Sequence, residues 1–231
     1  METVLITGTS SGIGKATANK FIDLYEYFVI GLDIAPATII HPRYRHIICD
    51  VSKKEMLPEL PERIDYIINN AGTIDEEKSI ATNLVGYVNI AEKYGFRDGV
   101  KSVLNIGSIS GTDGLDTPLY SASQGGRISY TKNLALRLCK EKHIPVNILC
   151  FGATMTGLEP KLYANSELVA QVAEQSMLNK WIMPEEAAEW VYFMSVVNKS
   201  MCGQVLIVDN GECSKRNWIP SDDRDLSEIN I

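Results

Sequence analysis

The segment Thr7-Gly8-Thr9-Ser10-Ser11-Gly12-Ile13-Gly14 joins an apolar run to a stretch with helical spacing. Glycines at such a junction let backbone N–H groups approach a phosphate, which the positive end of the following helix attracts. The pattern is GxxxGxG rather than GxGxxG, and tight strand-to-helix turns also take glycine for conformational reasons alone. Asp33 adds a second element. It closes the next apolar run, about 20 residues beyond the glycines, where a carboxylate can accept hydrogen bonds from an adenosine ribose. The same charge repels a 2′-phosphate, and the nearest following arginine is Arg43. Together these features predict a dinucleotide site that favours NAD(H) over NADP(H). An acid capping the following loop is the simpler reading of Asp33 taken alone.

Short apolar runs alternate with helix-like stretches along the chain. Residues 4–7, 28–33, 46–49, 66–69, 103–106, 146–149 and 205–208 read as buried strands, because they lack the polar alternation of a half-exposed sheet. Residues 13–25, 79–93, 118–142 and 184–197 have helical spacing and length. Such alternation predicts an α/β, single-domain, Rossmann-type fold: a doubly wound parallel sheet of about seven strands.

A chain of 231 residues fits one such domain, and 45% hydrophobic with 22% charged residues is ordinary globular composition. The net charge of −7 and the lack of a dense Lys/Arg run argue against a nucleic-acid partner. The opening Met1-Glu2-Thr3-Val4 carries neither a basic segment nor a long apolar one. No secretory signal or membrane span is expected, and the location is expected to be cytoplasmic. His41, His46 and His143 lack metal-ligand spacing, so no metal is expected. The scattered Cys49, Cys139, Cys150, Cys202 and Cys213 read as reduced thiols, most of them in the core.

Further motifs follow in order: Asp50-Val51, Asn69-Asn70-Ala71-Gly72, Asn83-Leu84-Val85-Gly86, Ile106-Gly107-Ser108, Tyr120-Ser121-Ala122-Ser123, Gly203-Gln204-Val205 and Val208-Asp209-Asn210-Gly211. With the glycine turn, this series resembles the short-chain dehydrogenase/reductase family over residues 1 to about 211. The resemblance implies an NAD(H)-dependent oxidoreductase that interconverts a secondary alcohol and a ketone. Gly8, Ser11, Gly12, Ile13 and Gly14 would line the dinucleotide phosphates, Asp33 the ribose, and Asp50 and Val51 the adenine. Asn70, Ala71 and Gly72 would pass beside the cofactor. Where the family usually shows Pro-Gly and then Thr, this chain has Phe151-Gly152-Ala153-Thr154-Met155-Thr156. Gly152, Thr154 and Thr156 would approach the nicotinamide carboxamide.

Hydride transfer to a carbonyl makes an alkoxide that must be protonated as it forms. The resemblance assigns that proton to Tyr120, with Ser108 hydrogen-bonding the substrate oxygen. Asn83 would hold a water or backbone group in a proton relay. The departure is Gln124, which stands where the family carries a lysine. Position i+4 shares the face of Tyr120. An ammonium there stabilises the phenolate and hydrogen-bonds the ribose; glutamine can donate but adds no charge. Free tyrosine, with a pKa of about 10, is ionised on the order of one part in a thousand at pH 7. Alcohol oxidation, which needs the phenolate, should therefore be impaired more than carbonyl reduction, with NAD binding retained. Arg127 and Lys132, further along the same helix, read as surface-facing. Two other readings stay open: a catalytically silent NAD-binding or regulatory protein, and an engineered Lys-to-Gln variant of an active dehydrogenase.

Residues of about 157–182 form a long insertion with Leu158, Leu162, Tyr163, Met177 and Trp181, which suggests a lid over a hydrophobic alcohol or ketone. The 33–50 stretch leaves little room for a crossover helix, and the short 72–83 stretch should open the pocket wall. Residues 212–231 read as a polar, solvated tail, in which Trp218 could cover a neighbouring subunit. The family usually pairs through the helices after its fourth and fifth strands, so a homodimer or homotetramer is expected.

Overall fold

Seven strands form where seven are expected, and they share one sheet. The computed structural model describes residues 1–60 and 63–214. Strands β1 (Glu2–Thr7), β2 (Tyr27–Asp33), β3 (Tyr44–Ile48), β4 (Tyr66–Asn69), β5 (Ser102–Ser108), β6 (Val146–Phe151) and β7 (Val205–Val208) lie in the order β3-β2-β1-β4-β5-β6-β7. Every neighbouring pair is parallel. The chain reverses its direction of travel across the sheet between β1 and β4, which opens a crevice beyond the carboxyl ends of the strands.

Helix α1 (Gly12–Asp23) connects β1 to β2. No helix intervenes between β2 and β3, as the brevity of that segment requires. A continuous helical rod joins β4 to β5: α2 (Glu76–Ser79), a π-helical turn (Ile80–Val85), α3 (Gly86–Ile90) and a second π-helical turn (Ala91–Gly95). After β5 come α4 (Ser110–Asp113) and the long α5 (Pro118–Lys142). Proline at the first position starts α5, and His143 in the left-handed region (φ 57°) stops it. The insertion folds into α6 (Pro160–Tyr163) and α7 (Ser166–Glu174), and α8 (Pro184–Tyr192) follows. Trp181 is buried, with its ring nitrogen donating to the Val169 carbonyl at 2.8 Å, whereas Leu158 and Met177 are exposed.

Alternation along β1 sends Leu5 to one face and Val4 and Ile6 to the other. Leu5 packs with Ile30, Ile67, Ile90, Tyr94 and Leu134 beneath the rod and α5. Val4 and Ile6 pack with Phe21, Ile68, Val191 and Met194 beneath α1 and α8. The expectation that every strand is buried needs correcting at the edges. Ile48 in β3 and Ile207 in β7 are 63% and 47% exposed, because an edge strand has a neighbour on one side only. The cysteines also depart from expectation: Cys49 and Cys150 are buried, but Cys139 is exposed and Cys202 and Cys213 lie in between. They sit on the outer part of α5 and in the turns around β7, at the margin of the core rather than within it. Among the described residues no helix is long and apolar enough to cross a membrane. Most of the polar tail, with Trp218 and the 222–225 charge run, falls outside the described residues.

Candidate active site

The glycine turn is locked to the end of β4 by hydrogen bonds. Thr7 Oγ1 accepts from the backbone amides of Asn70 at 2.9 Å and Ala71 at 2.8 Å, and Asn70 Nδ2 donates back to the Thr7 carbonyl at 2.9 Å. Gly8 has φ 76°, and a Cβ there would lie 2.8 Å from Asn70 Nδ2. A Cβ on Gly14 would collide with the Gly8 carbonyl. Both positions therefore require glycine. Ser11, at the start of α1, makes no side-chain cap, and the first turn carries no acid. Its N–H groups are left to an anion, and the cradle fits a dinucleotide pyrophosphate.

Asp33 closes β2 with both oxygens turned to this region. Oδ2 accepts from the Ser10 amide at 2.8 Å and Oδ1 from the Ala35 amide at 2.9 Å. A carboxylate can accept further bonds, so ribose hydroxyls can still be met. Beneath it Tyr44 OH bridges Thr9 Oγ1 and His46 Nδ1, each at 2.8 Å. Asp50 is held by Ser52, at 2.6 Å from its hydroxyl, and Val51 is buried against Gly86. Across the crevice, the chain leaving β6 returns to the glycine turn: a Cβ on Gly12 would lie 3.0 Å from Thr156 Cβ. Thr154 Oγ1 donates to the Gly152 carbonyl at 2.9 Å, and the Glu212 carboxylate accepts from the Ala153 amide at 3.1 Å. Gly12, Met155, Thr156, Gly157 and Tyr163 line a cleft of about 470 Å³ that opens onto the insertion. The structure thus gathers residues 8–14, 33, 70–72 and 152–156 around one crevice.

At the other end of that crevice, Ser108 ends β5 and Tyr120 sits in the first turn of α5. The Glu76 carboxylate accepts the Leu119 amide at 2.7 Å and the Tyr120 amide at 3.4 Å, which anchors that turn. Burial pushes the Tyr120 phenol upward, and Asp116 and Glu159 add to it; the Arg127 guanidinium and a hydrogen bond with Ser108 pull it down. The net shift is upward. Ser108 Oγ also lies 3.1 Å from Ser110 Oγ. Asn83, inside the π-helical turn, is wholly buried. Its side chain accepts from the Thr73 amide at 2.8 Å and donates to the Thr73 carbonyl at 2.9 Å and Ser123 Oγ at 3.2 Å.

The largest departure from the sequence reading is Arg127. Far from facing solvent, it is 4% exposed. Its guanidinium donates to the carbonyls of Asn83, Ile106 (2.9 Å) and Ala71 (3.3 Å) and to Gln124 Oε1 (3.2 Å). It also stacks 3.8 Å above the Tyr87 ring. The acceptors are open for a structural reason. β4 pairs with β5 only as far as Asn105, so the Ile106 carbonyl beyond it turns to Arg127 and the Tyr87 hydroxyl. Lys132 is exposed as expected.

Comparison with known proteins assigns this arrangement. The family model described as short chain dehydrogenase matches residues 2–167. The chain belongs to the short-chain dehydrogenase family. Carbonyl reductase family member 4 of Xenopus laevis is 31% identical, over 89% of this chain and 95% of its own length. A short-chain dehydrogenase family protein from Francisella tularensis superposes with a TM-score of 0.82 at 28% identity, covering 93% of this chain and all of its own. A 4-hydroxyisoleucine dehydrogenase mutant complexed with NADH and succinate gives 0.83 at 25%, covering 94% of this chain and all of its own. Members of this oxidoreductase family typically act on small molecules with a nicotinamide cofactor. Beyond the family motifs, sequence reasoning missed Glu76, Tyr87 and Arg127. For Arg127 a signal existed: it lies at i+7 from Tyr120 and i+3 from Gln124, on the same helical face.

Proposed function

We propose that the protein is an NAD(H)-dependent oxidoreductase interconverting a secondary alcohol and a ketone, with carbonyl reduction the favoured direction. The observation that carries this reading is the meeting of Tyr120 and Ser108 at the carboxyl end of β5, in the same crevice as the glycine turn. The Asp33 carboxylate favours a cofactor whose ribose carries a free 2′-hydroxyl. The relative complexed with NADH supports the same choice.

A nicotinamide nucleotide held by the glycine turn, Asp33 and residues 152–156 would supply or accept the hydride. Ser108 Oγ hydrogen-bonds the substrate oxygen and aligns it with the phenol. In reduction the Tyr120 O–H bond breaks as the substrate oxygen gains its proton, and solvent later restores the phenol. In oxidation the phenolate takes the hydroxyl proton instead. An upward-shifted phenol stays protonated at neutral pH, ready for reduction and short of phenolate for oxidation. The apolar side chains of the insertion suit a hydrophobic ketone. Pairing through the rod and α5 is supported by the exposed Val85 and Leu136, 42% and 73% accessible.

The test is NADH consumption against a panel of ketones, comparing the parent with Tyr120→Phe. Turnover that falls by at least about a hundredfold in the variant is expected, since a positioned acid contributes about 10²–10⁴-fold. Gln124 is the observation that favours a silent NAD-binding protein. Tight NADH binding with no turnover of any ketone would establish that reading instead.

A further inference from the structure

Within this redox reading, the missing lysine leaves a question of charge that the interior answers. Arg127 is a cation buried among neutral acceptors. Its partners are three backbone carbonyls, one amide oxygen and an aromatic face. No carboxylate pairs with it among the described residues. Taking an ion out of water carries a large penalty even after relaxation. Carbonyl dipoles and the Tyr87 ring offset part of that, but a neutral residue would avoid the cost altogether. A cation kept there at such expense points to a use for its charge.

The geometry also orients Gln124. A guanidinium has donors only, so the amide oxygen must face Arg127 and the amide NH₂ must turn away from it. Gln124 lies one turn beyond Tyr120 on the same face. There its NH₂ can donate where the family lysine would donate, while Arg127 behind it supplies the charge.

We propose that Arg127 is a positioning residue that replaces the family lysine in two parts: it sets a buried positive charge behind Gln124 on the helix face of Tyr120, and it holds Gln124 with its NH₂ toward the nicotinamide ribose. The other groups acting on Tyr120 come from every side. Ser108 of β5 stabilises the phenolate, while Asp116 before α5 and Glu159 before α6 oppose it. Glu76 of α2 holds its backbone amide. Tyr87 of α3 and Cys150 of β6 face Arg127. Arg127 is the cation that offsets the acids.

A purely structural clamp is the competing account, because Arg127 ties together the chain after β4, the rod, β5 and α5. Titration of Tyr120 separates the two and needs no turnover. The tyrosinate absorbance of the cofactor-free protein is followed with pH, and Tyr120 is isolated by subtracting the Tyr120→Phe curve. Arg127→Met should raise the Tyr120 midpoint by about one pH unit, a tenfold loss of phenolate at fixed pH. Alcohol oxidation should lose kcat to a similar extent with little change in KM. Arg127→Lys should keep the midpoint close to that of the parent, and Gln124→Lys combined with Arg127→Met should return it there. Gln124→Lys alone sets an ammonium beside the buried guanidinium, and it should lower both Tm and the oxidation rate. An unchanged midpoint in folded Arg127→Met overturns the proposal. Should that variant not fold, a tenfold or greater gain in oxidation from Gln124→Lys alone overturns it equally. A midpoint that moves as expected in a protein without ketone turnover would refute the redox reading but leave the charge assignment standing.

Discussion

Thr7→Val tests how the cofactor turn is held. The substitution keeps the shape of a fully buried side chain and removes its oxygen. Two backbone amides, Asn70 at 2.9 Å and Ala71 at 2.8 Å, then lose their acceptor. A buried donor left unpaired costs about 1–3 kcal/mol. Asn70 and Ala71 are only partly buried, so water can reach them and the lower half of that range applies. The pair should cost about 2–4 kcal/mol in total. For a domain of this size each kcal/mol is worth about 2–4 °C, so Tm should fall on the order of 10 °C. Urea unfolding should show a lower midpoint with an unchanged slope. Thr7→Ser is the control, because it keeps the oxygen and loses only a methyl group, at a cost of about 1 kcal/mol. NADH affinity should follow the same order, since the loosened segment carries Gly8 and faces Ala71. Equal destabilisation by Val and Ser would refute the argument, because packing rather than the two amides would then explain the loss.

The upward shift of Tyr120 sets the direction of the pH dependence. Reduction uses the protonated phenol, so its rate should stay level through neutral pH and fall only above the ordinary tyrosine value. Oxidation uses the phenolate and should rise about tenfold per pH unit across the neutral range; a plateau below pH 8 in stopped-flow measurements would contradict the burial of the phenol. At the other end of the site, Asp33→Asn removes the charge that repels a 2′-phosphate while keeping one acceptor for the Ser10 or Ala35 amide. Calorimetry should show the preference for NADH over NADPH narrowing by at least about tenfold, which is about 1.4 kcal/mol. A parent that binds NADPH more tightly than NADH would remove the role given to Asp33.

The strands and α5 were legible because their signals are local. Apolar runs without alternation mark strands covered on both faces, and Pro118 marks the start of a helix whatever surrounds it. The edge positions of β3 and β7 were not legible, since strand order in the sheet is a property of the whole chain. The glycine turn and Asp33 could be read as a dinucleotide site because that chemistry depends on backbone conformation and one carboxylate close in sequence. The grip of Thr7 on residues 70 and 71 could not, because it joins segments far apart along the chain. Glu76 escaped notice for the same reason: a half-buried acid gains its role only when the start of α5 is placed against it.

Residue types and spacing by themselves determined an α/β fold, a glycine-rich strand-to-helix turn, a phenol on a helix face and the absence of a lysine at i+4. They also set Arg127 on that face, but not what lies opposite it. Whether a helical side chain meets water or protein depends on which elements pack there. That is decided by the rod, the end of β4 and the exposed carbonyl of Ile106 coming together in three dimensions. Only the tertiary structure turned an apparent surface arginine into a buried charge beside Gln124.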